Sequence, residues 1–140
     1  MFSPLLAVHA FIVWFQSQIM AQYRLEELEV YQLALAFANK VWDNVITWDK
    51  FARYHPGPQF TEAADSISAN IAESYGRFHF REKLNFCYIA RGSIVESKDW
   101  IAKAAHRQLL SDVQEKQLLE DLALVHEKLN GYIKHLRKTQ

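Results

Sequence analysis

The chain is 140 residues long, half of it apolar, with 4 Gly and 3 Pro; that is enough for one domain with a full core and too few turn formers for an all-β fold. Its 16 basic and 16 acidic side chains leave a formal net charge of +0, which argues against a general nucleic-acid binder, whose surface carries a basic excess. The single cysteine, Cys87, excludes an intramolecular disulfide and a cysteine-rich zinc site, and it is compatible with a reducing cytoplasm.

Residues 1–23 form an apolar extension. Leu5 to Phe15 is apolar apart from His9. No Lys or Arg precedes this run and no Ala-x-Ala site closes it, so it departs from a secretory signal. At about 11 residues it is too short to span a membrane. Met20 is a second candidate start, because the patterned sequence begins just after it. If the extension is translated, Phe11, Ile12, Trp14 and Phe15 must pack somewhere. Left exposed, they are an aggregation liability or an oligomer contact.

Residues 24–140 read as four helices with no strand pattern between them. The first is expected from about Arg24 to Trp48, with Leu28, Tyr31, Leu35, Ala38, Trp42 and Val45 at alternating steps of 3 and 4 as its core stripe. A second row, Val30, Ala34, Phe37 and Val41, lies beside it. Two adjacent apolar rows exceed the needs of one core, so the helix is expected to carry a second contact surface. His55-Pro56-Gly57-Pro58 breaks it. The second helix is expected from about Gln59 to Tyr75, facing inward through Phe60, Ala64, Ile67, Ile71 and Tyr75, with Gly76 suited to a left-handed helix end.

The third helix is expected over about Phe80 to Gln108. Phe80, Leu84, Cys87, Ala90, Ile94, Ser97, Ile101 and Ala104 trace one stripe, and Phe86, Ile89, Ser93 and Trp100 a second. The stripe position of Cys87 marks it as a small buried hydrophobe and not a nucleophile. Gly92 and Ser93 fall mid-helix, where a small pair permits close approach or a bend. The fourth helix opens at Ser111, which forms a capping box with Gln114. Leu118, Leu122, Val125, Leu129, Ile133 and Leu136 give its core stripe, and Lys134, Arg137 and Lys138 suit its C-terminus. Short links favour antiparallel neighbours, hence an up-down-up-down four-helix bundle.

The segment Ser66 to Arg77 sets Ser66, Ala69, Asn70 and Glu73 among the apolar Ile67 and Ile71. Ser and Asn compete for backbone hydrogen bonds inside a helix. They therefore point to a polar constellation of Asn70, Glu73 and Arg77 at a cleft or, with better odds, to an inter-helix network that fixes register. Glu73 and Arg77 are spaced to pair. The chain holds no Glu-x-x-His, no His-Glu-x-x-His, no glycine-rich phosphate loop and no Gly-x-Ser-x-Gly, so no catalytic residue, metal or cofactor is expected. Charge is uneven: residues 1–77 hold 5 basic and 8 acidic groups, residues 78–140 hold 11 and 8. Arg77, Arg81, Lys83, Arg91 and Lys98, continued by Lys103 and Arg107, make the best basic tract, interleaved with Phe78, Phe80, Phe86 and Tyr88. That combination can contact nucleic acid, although the aromatics fall largely on core stripes and Glu82, Glu96 and Asp99 dilute the field.

Leu28-Glu29-Val30-Tyr31-Gln32, the Ser66-to-Arg77 run, and Glu82 with Phe86, Ile89-Ala90-Arg91-Gly92-Ser93 and Glu96 together resemble the four-helix-bundle proteins of the 23S rRNA intervening-sequence type, also labelled S23 ribosomal proteins. The resemblance covers about residues 25–137. Its signature residues are Ser66, Asn70, Glu73, Gly76, Arg77, Gly92, Ser93 and Glu96. It implies small bacterial cytosolic proteins that assemble into homopentameric rings and contact no membrane. It also implies a relative, the accessory protein of diversity-generating retroelements, which binds nucleic acid through a basic surface. A ring suits the surplus apolar rows. The chain departs from the pattern at Thr61 and Glu62, where relatives carry basic residues, and at Ser74, where they carry Gly. The expected function is a non-enzymatic homo-oligomeric interaction protein, with an RNA- or DNA-binding accessory subunit as the alternative.

Overall fold

A computed structural model describes residues 3–22 and 24–139, the side chains of 18–22 excepted. Of the two candidate starts, Met1 and the side chain of Met20 lie outside the described residues. Among the described residues the chain is all-α: α1 (Pro4–Gln22), α2 (Glu29–Val45), α3 (Lys50–Tyr54), α4 (Gly57–Gly76), α5 (Phe80–His106) and α6 (Asp112–Lys138), with one 3-10 turn, Leu25–Glu27, ahead of α2. No helix among them is long and apolar enough to cross a membrane.

Four helices surround the core. α4 packs on α2 and α5, and α6 closes the circuit by packing on the same two helices. Side-chain pairs show their relative directions. Along α2 and α6, Glu29 meets Lys128 while Lys40 meets Asp121, so the two run in opposite senses. Along α4 and α5, Ser66 meets Ser93 and Ser74 meets Cys87, again with one number rising as the other falls. Phe37, Phe60, Ile67, Ile71, Ile101, Leu118 and Leu129 are all but inaccessible. Each such side chain contributes about 1.5–3 kcal/mol relative to an exposed position.

The first expected helix is not continuous. Leu28 sits in an extended conformation (φ −74°, ψ 112°) and separates the 3-10 turn from α2. α2 then stops at Val45, and Asp49 starts α3 by accepting the backbone N–H of Ala52 at 3.0 Å, the Asp cap that local sequence allows. The core row of α2 is Val30, Ala34, Phe37, Val41 and Val45, with Ala38 beside it; Leu35 and Trp42, expected inward, face solvent. Both rows have helical spacing; Ala38 and Val45 of the first are buried with the whole of the second, and the positions of α4 and α6 leave Leu35 and Trp42 outside. On α4 the inward stripe follows expectation through Phe60, Ala64, Ile67 and Ile71, but Ser74 is fully buried where Tyr75 was expected, and Tyr75 is half-covered.

α5 and α6 follow their expected stripes closely. Cys87, Ala90, Ile94, Ser97, Ile101 and Ala104 are buried, as are all six predicted residues of α6. The second stripe of α5 is mixed: Ser93 is buried, Phe86 and Trp100 are half-buried, and Ile89 is exposed. The capping box is complete, with Gln114 N–H donating to Ser111 Oγ at 3.1 Å and Ser111 N–H to Gln114 Oε1 at 2.8 Å. Two glycine expectations are corrected. Gly76 ends α4 without a positive φ; the Lys83 ammonium caps the helix instead, donating to the Tyr75 carbonyl at 3.1 Å. Gly92 is exposed, and a Cβ there would meet nothing within 4 Å, so no helix of the same chain approaches it closely.

Candidate functional site

The Ser66-to-Arg77 segment is the C-terminal half of α4 with its cap, its Ile67 and Ile71 in the core and its polar side chains at the seam and surface. Ser66 is its hub. Asn70 Nδ2 donates to Ser66 O at 2.7 Å and to Ser66 Oγ at 3.0 Å, and Ser93 Oγ on α5 reaches Ser66 Oγ at 3.0 Å. Ile89 O also lies 3.2 Å from Ser93 Oγ, and since both serines carry a hydroxyl proton the crossing bond and the local one can be made together. Glu73 and Arg77 pair on the same helix. They do not join Asn70, so the three-residue constellation resolves into two separate contacts.

A second link lies about two turns further along α4. Ser74 Oγ donates to Lys83 O at 2.8 Å and lies 3.2 Å from Cys87 Sγ. Since the serine proton is committed to the carbonyl, the thiol donates to Ser74 Oγ. Burial pushes the Cys87 thiol above its ordinary range, against the pull of the Ser74 bond and of nearby Lys83, so it stays protonated as that geometry needs. Burial also lowers Lys83, whose ammonium is engaged with the end of α4. Ser74 is therefore a second side chain, beside Ser66, that ties α4 to α5. The signal for it was its place three residues after Ile71 on the inward stripe.

The basic residues do not form one tract. Arg91 and Arg137 both lie over the Tyr88 ring, with guanidinium carbons 5.1 and 5.8 Å from its centroid, and Arg137 also donates to the Tyr88 hydroxyl. Arg77 stands 4.9 Å over Phe86. Such contacts hold cations against ring faces. Arg81 is exposed. Lys98 stands apart, beside His126 in a hollow of about 260 Å³ between α5 and α6. Glu96 is exposed and lines a shallow hollow of about 170 Å³ with Glu62 and Ser66. The aromatics expected in the core lie at its rim: Phe80, Phe86 and Tyr88 are half-buried, and Phe78 is exposed. Sequence spacing missed the Tyr88–Arg137 pairing, since the two are joined only by the packing of α6 on α5. Among the described residues no three His, Cys, Asp or Glu side chains gather as metal ligands would.

Comparison with known proteins agrees with this architecture. The family model described as "23S rRNA-intervening sequence protein" matches residues 26–131. The chain belongs to that family. The matched span takes in both serine links and leaves α1 outside. A crystal structure of a protein of unknown function from the S23 ribosomal protein family of Bacteroides thetaiotaomicron is similar, with a TM-score of 0.70 at 20% identity over 75% of this chain and 98% of that one. At that identity the likeness shows the fold. No curated protein matches. The span matched to the 23S rRNA-intervening sequence family includes the Ser66-to-Arg77 run.

Proposed function

We propose that this member of the 23S rRNA-intervening sequence family is a non-enzymatic, cytoplasmic bacterial interaction protein, an up-down-up-down four-helix bundle whose copies assemble as a ring-shaped homopentamer. The outward stripe of α2 carries this reading. Leu35 and Trp42 on the solvent side of the helix, and Ile46 just past its end, recur at steps of 7 and 4, and Trp42 is 56% exposed. A monomer gains nothing by presenting an indole and two branched chains in line, and a head-to-tail contact between copies would cover them and close into a ring. The number five comes from the sequence resemblance. Light scattering should return about five times the 16.4 kDa chain mass, and Trp42→Lys should lower it. A monomer at micromolar concentration overturns the reading.

A second reading is an RNA- or DNA-binding accessory subunit, favoured by the arginines held on the faces of Tyr88 and Phe86. Exposed guanidinium–aromatic pairs suit a phosphate backbone and unstacked bases. Binding to single-stranded RNA should then be salt-sensitive and fall when Arg77, Arg81 and Arg91 become Ala. No binding at low salt, where such attraction is strongest, excludes it.

A further inference from the structure

The bundle has two opposite faces of different character. α4 and α6 each pack on both α2 and α5, so the α2/α4 face and the α5/α6 face lie on opposite sides of the core. Lys40 reaches α6 at Asp121. Trp42, two residues or about 200° further round α2, is turned away from α6, to the α4 side. Leu35, seven residues earlier, shares its line. On α4, Ser66 faces Ser93 of α5, and the exposed Asp65, about 100° round the helix, is turned away from α5. The α2/α4 face thus presents a protruding indole and a carboxylate. The α5/α6 face presents a hollow of about 260 Å³ lined by Ile94, Leu119, Leu122 and Ala123 together with Lys98 and His126. Ile94 and Leu122 are core residues, so the hollow reaches the apolar interior.

We infer that copies of this chain meet head to tail, with Trp42 of one copy seated in the Ile94–Leu119–Leu122–Ala123 hollow of the next. This rests on the assembly proposed above and names the surface that receives the α2 stripe. Charge selects the occupant. α2 and α4 together hold 5 acidic and 1 basic groups, and the one cation, Lys40, is committed to Asp121. α5 and α6 hold 8 acidic and 10 basic groups. Joining two copies through the same face would set acidic helices against each other, whereas joining opposite faces sets unlike charge together. Among the described residues neither Asp65 nor Lys98 has an ion-pair partner within its own chain, so each is free to face the other across the contact. The indole fills an apolar hollow beside a cation, a setting that favours a ring face. Repeated from copy to copy, such a contact is the head-to-tail step that closes a ring.

Cross-linking of the full chain tests it. Asn39→Cys places a thiol on the exposed side of α2 between Leu35 and Trp42, and Ala123→Cys places one in the hollow. The two stand on opposite sides of one chain and cannot be joined within it. Cys87 is fully buried and does not compete. With a short flexible bismaleimide, the double variant should give a ladder of covalent dimer, trimer and longer products, several-fold above any product of either single variant. Adding Trp42→Lys should cut the ladder several-fold. Dimer from a single variant in equal yield shows a like-to-like contact and overturns the inference, as does a ladder that Trp42→Lys leaves unchanged. No ladder from a chain whose scattering mass is five-fold overturns the inference and leaves the ring reading standing. A ladder from an assembly of another mass upholds the inference and overturns the number five. No ladder from a monomeric chain overturns both.

Discussion

Two buried serines of α5, Ser93 and Ser97, show how one hydroxyl can have opposite effects according to its surroundings. Ser97 is fully buried and its Oγ has no hydrogen-bond partner. An unmade bond of that kind costs about 1–3 kcal/mol relative to a satisfied one, and Ala is also the better helix former. Ser97→Ala should therefore raise the melting temperature. Ser93, whose hydroxyl bridges to Ser66, should behave in the other direction, with Ser93→Ala losing about 1 kcal/mol in urea titration. Equal shifts for the two variants would contradict the distinction. The sequence placed both serines on inward stripes. It could not separate them, because satisfaction depends on which α4 side chain stands across the seam.

The helices were legible to different degrees, and the glycines show why. Gly57 opens α4 at a crowded corner, where a Cβ would stand 2.9 Å from Val45 Cγ1 and 3.2 Å from Ala52 O. Gly57→Ala should cost about 1–3 kcal/mol through overpacking. Gly92, exposed in mid-helix with free space around it, should gain up to about 1 kcal/mol as Ala in thermal denaturation. From sequence the roles looked reversed, with Gly57 read only as part of a loop and Gly92 as a point of close approach. α6 was readable throughout because one stripe, one capping box and one basic end agree. The first expected helix, about Arg24 to Trp48, was misread as continuous across Leu28 because no glycine or proline marks that break, while its end at Val45 falls close to the expected one.

At the scale of the molecule, Leu35 and Trp42 on α2, Ile46 just past its end, and the apolar side chains of α1 are uncovered at separate places in the chain. The proposed assembly rests on the first of them, and the masses of Trp42→Lys and of the intact protein test it. Sequence alone determined the helical class, the inward stripes of α4, α5 and α6, the burial of Cys87 and the presence of two apolar rows on α2. Those follow from local periodicity, which a helix expresses wherever it packs. Only the tertiary structure decided which row of α2 faces inward, that Ser74 and Ser66 are the polar ties between α4 and α5, and that Arg137 reaches Tyr88. Each of these depends on residues far apart in the chain, set against each other by the placement of α4, α5 and α6, and periodicity within one helix carries no information about its neighbours.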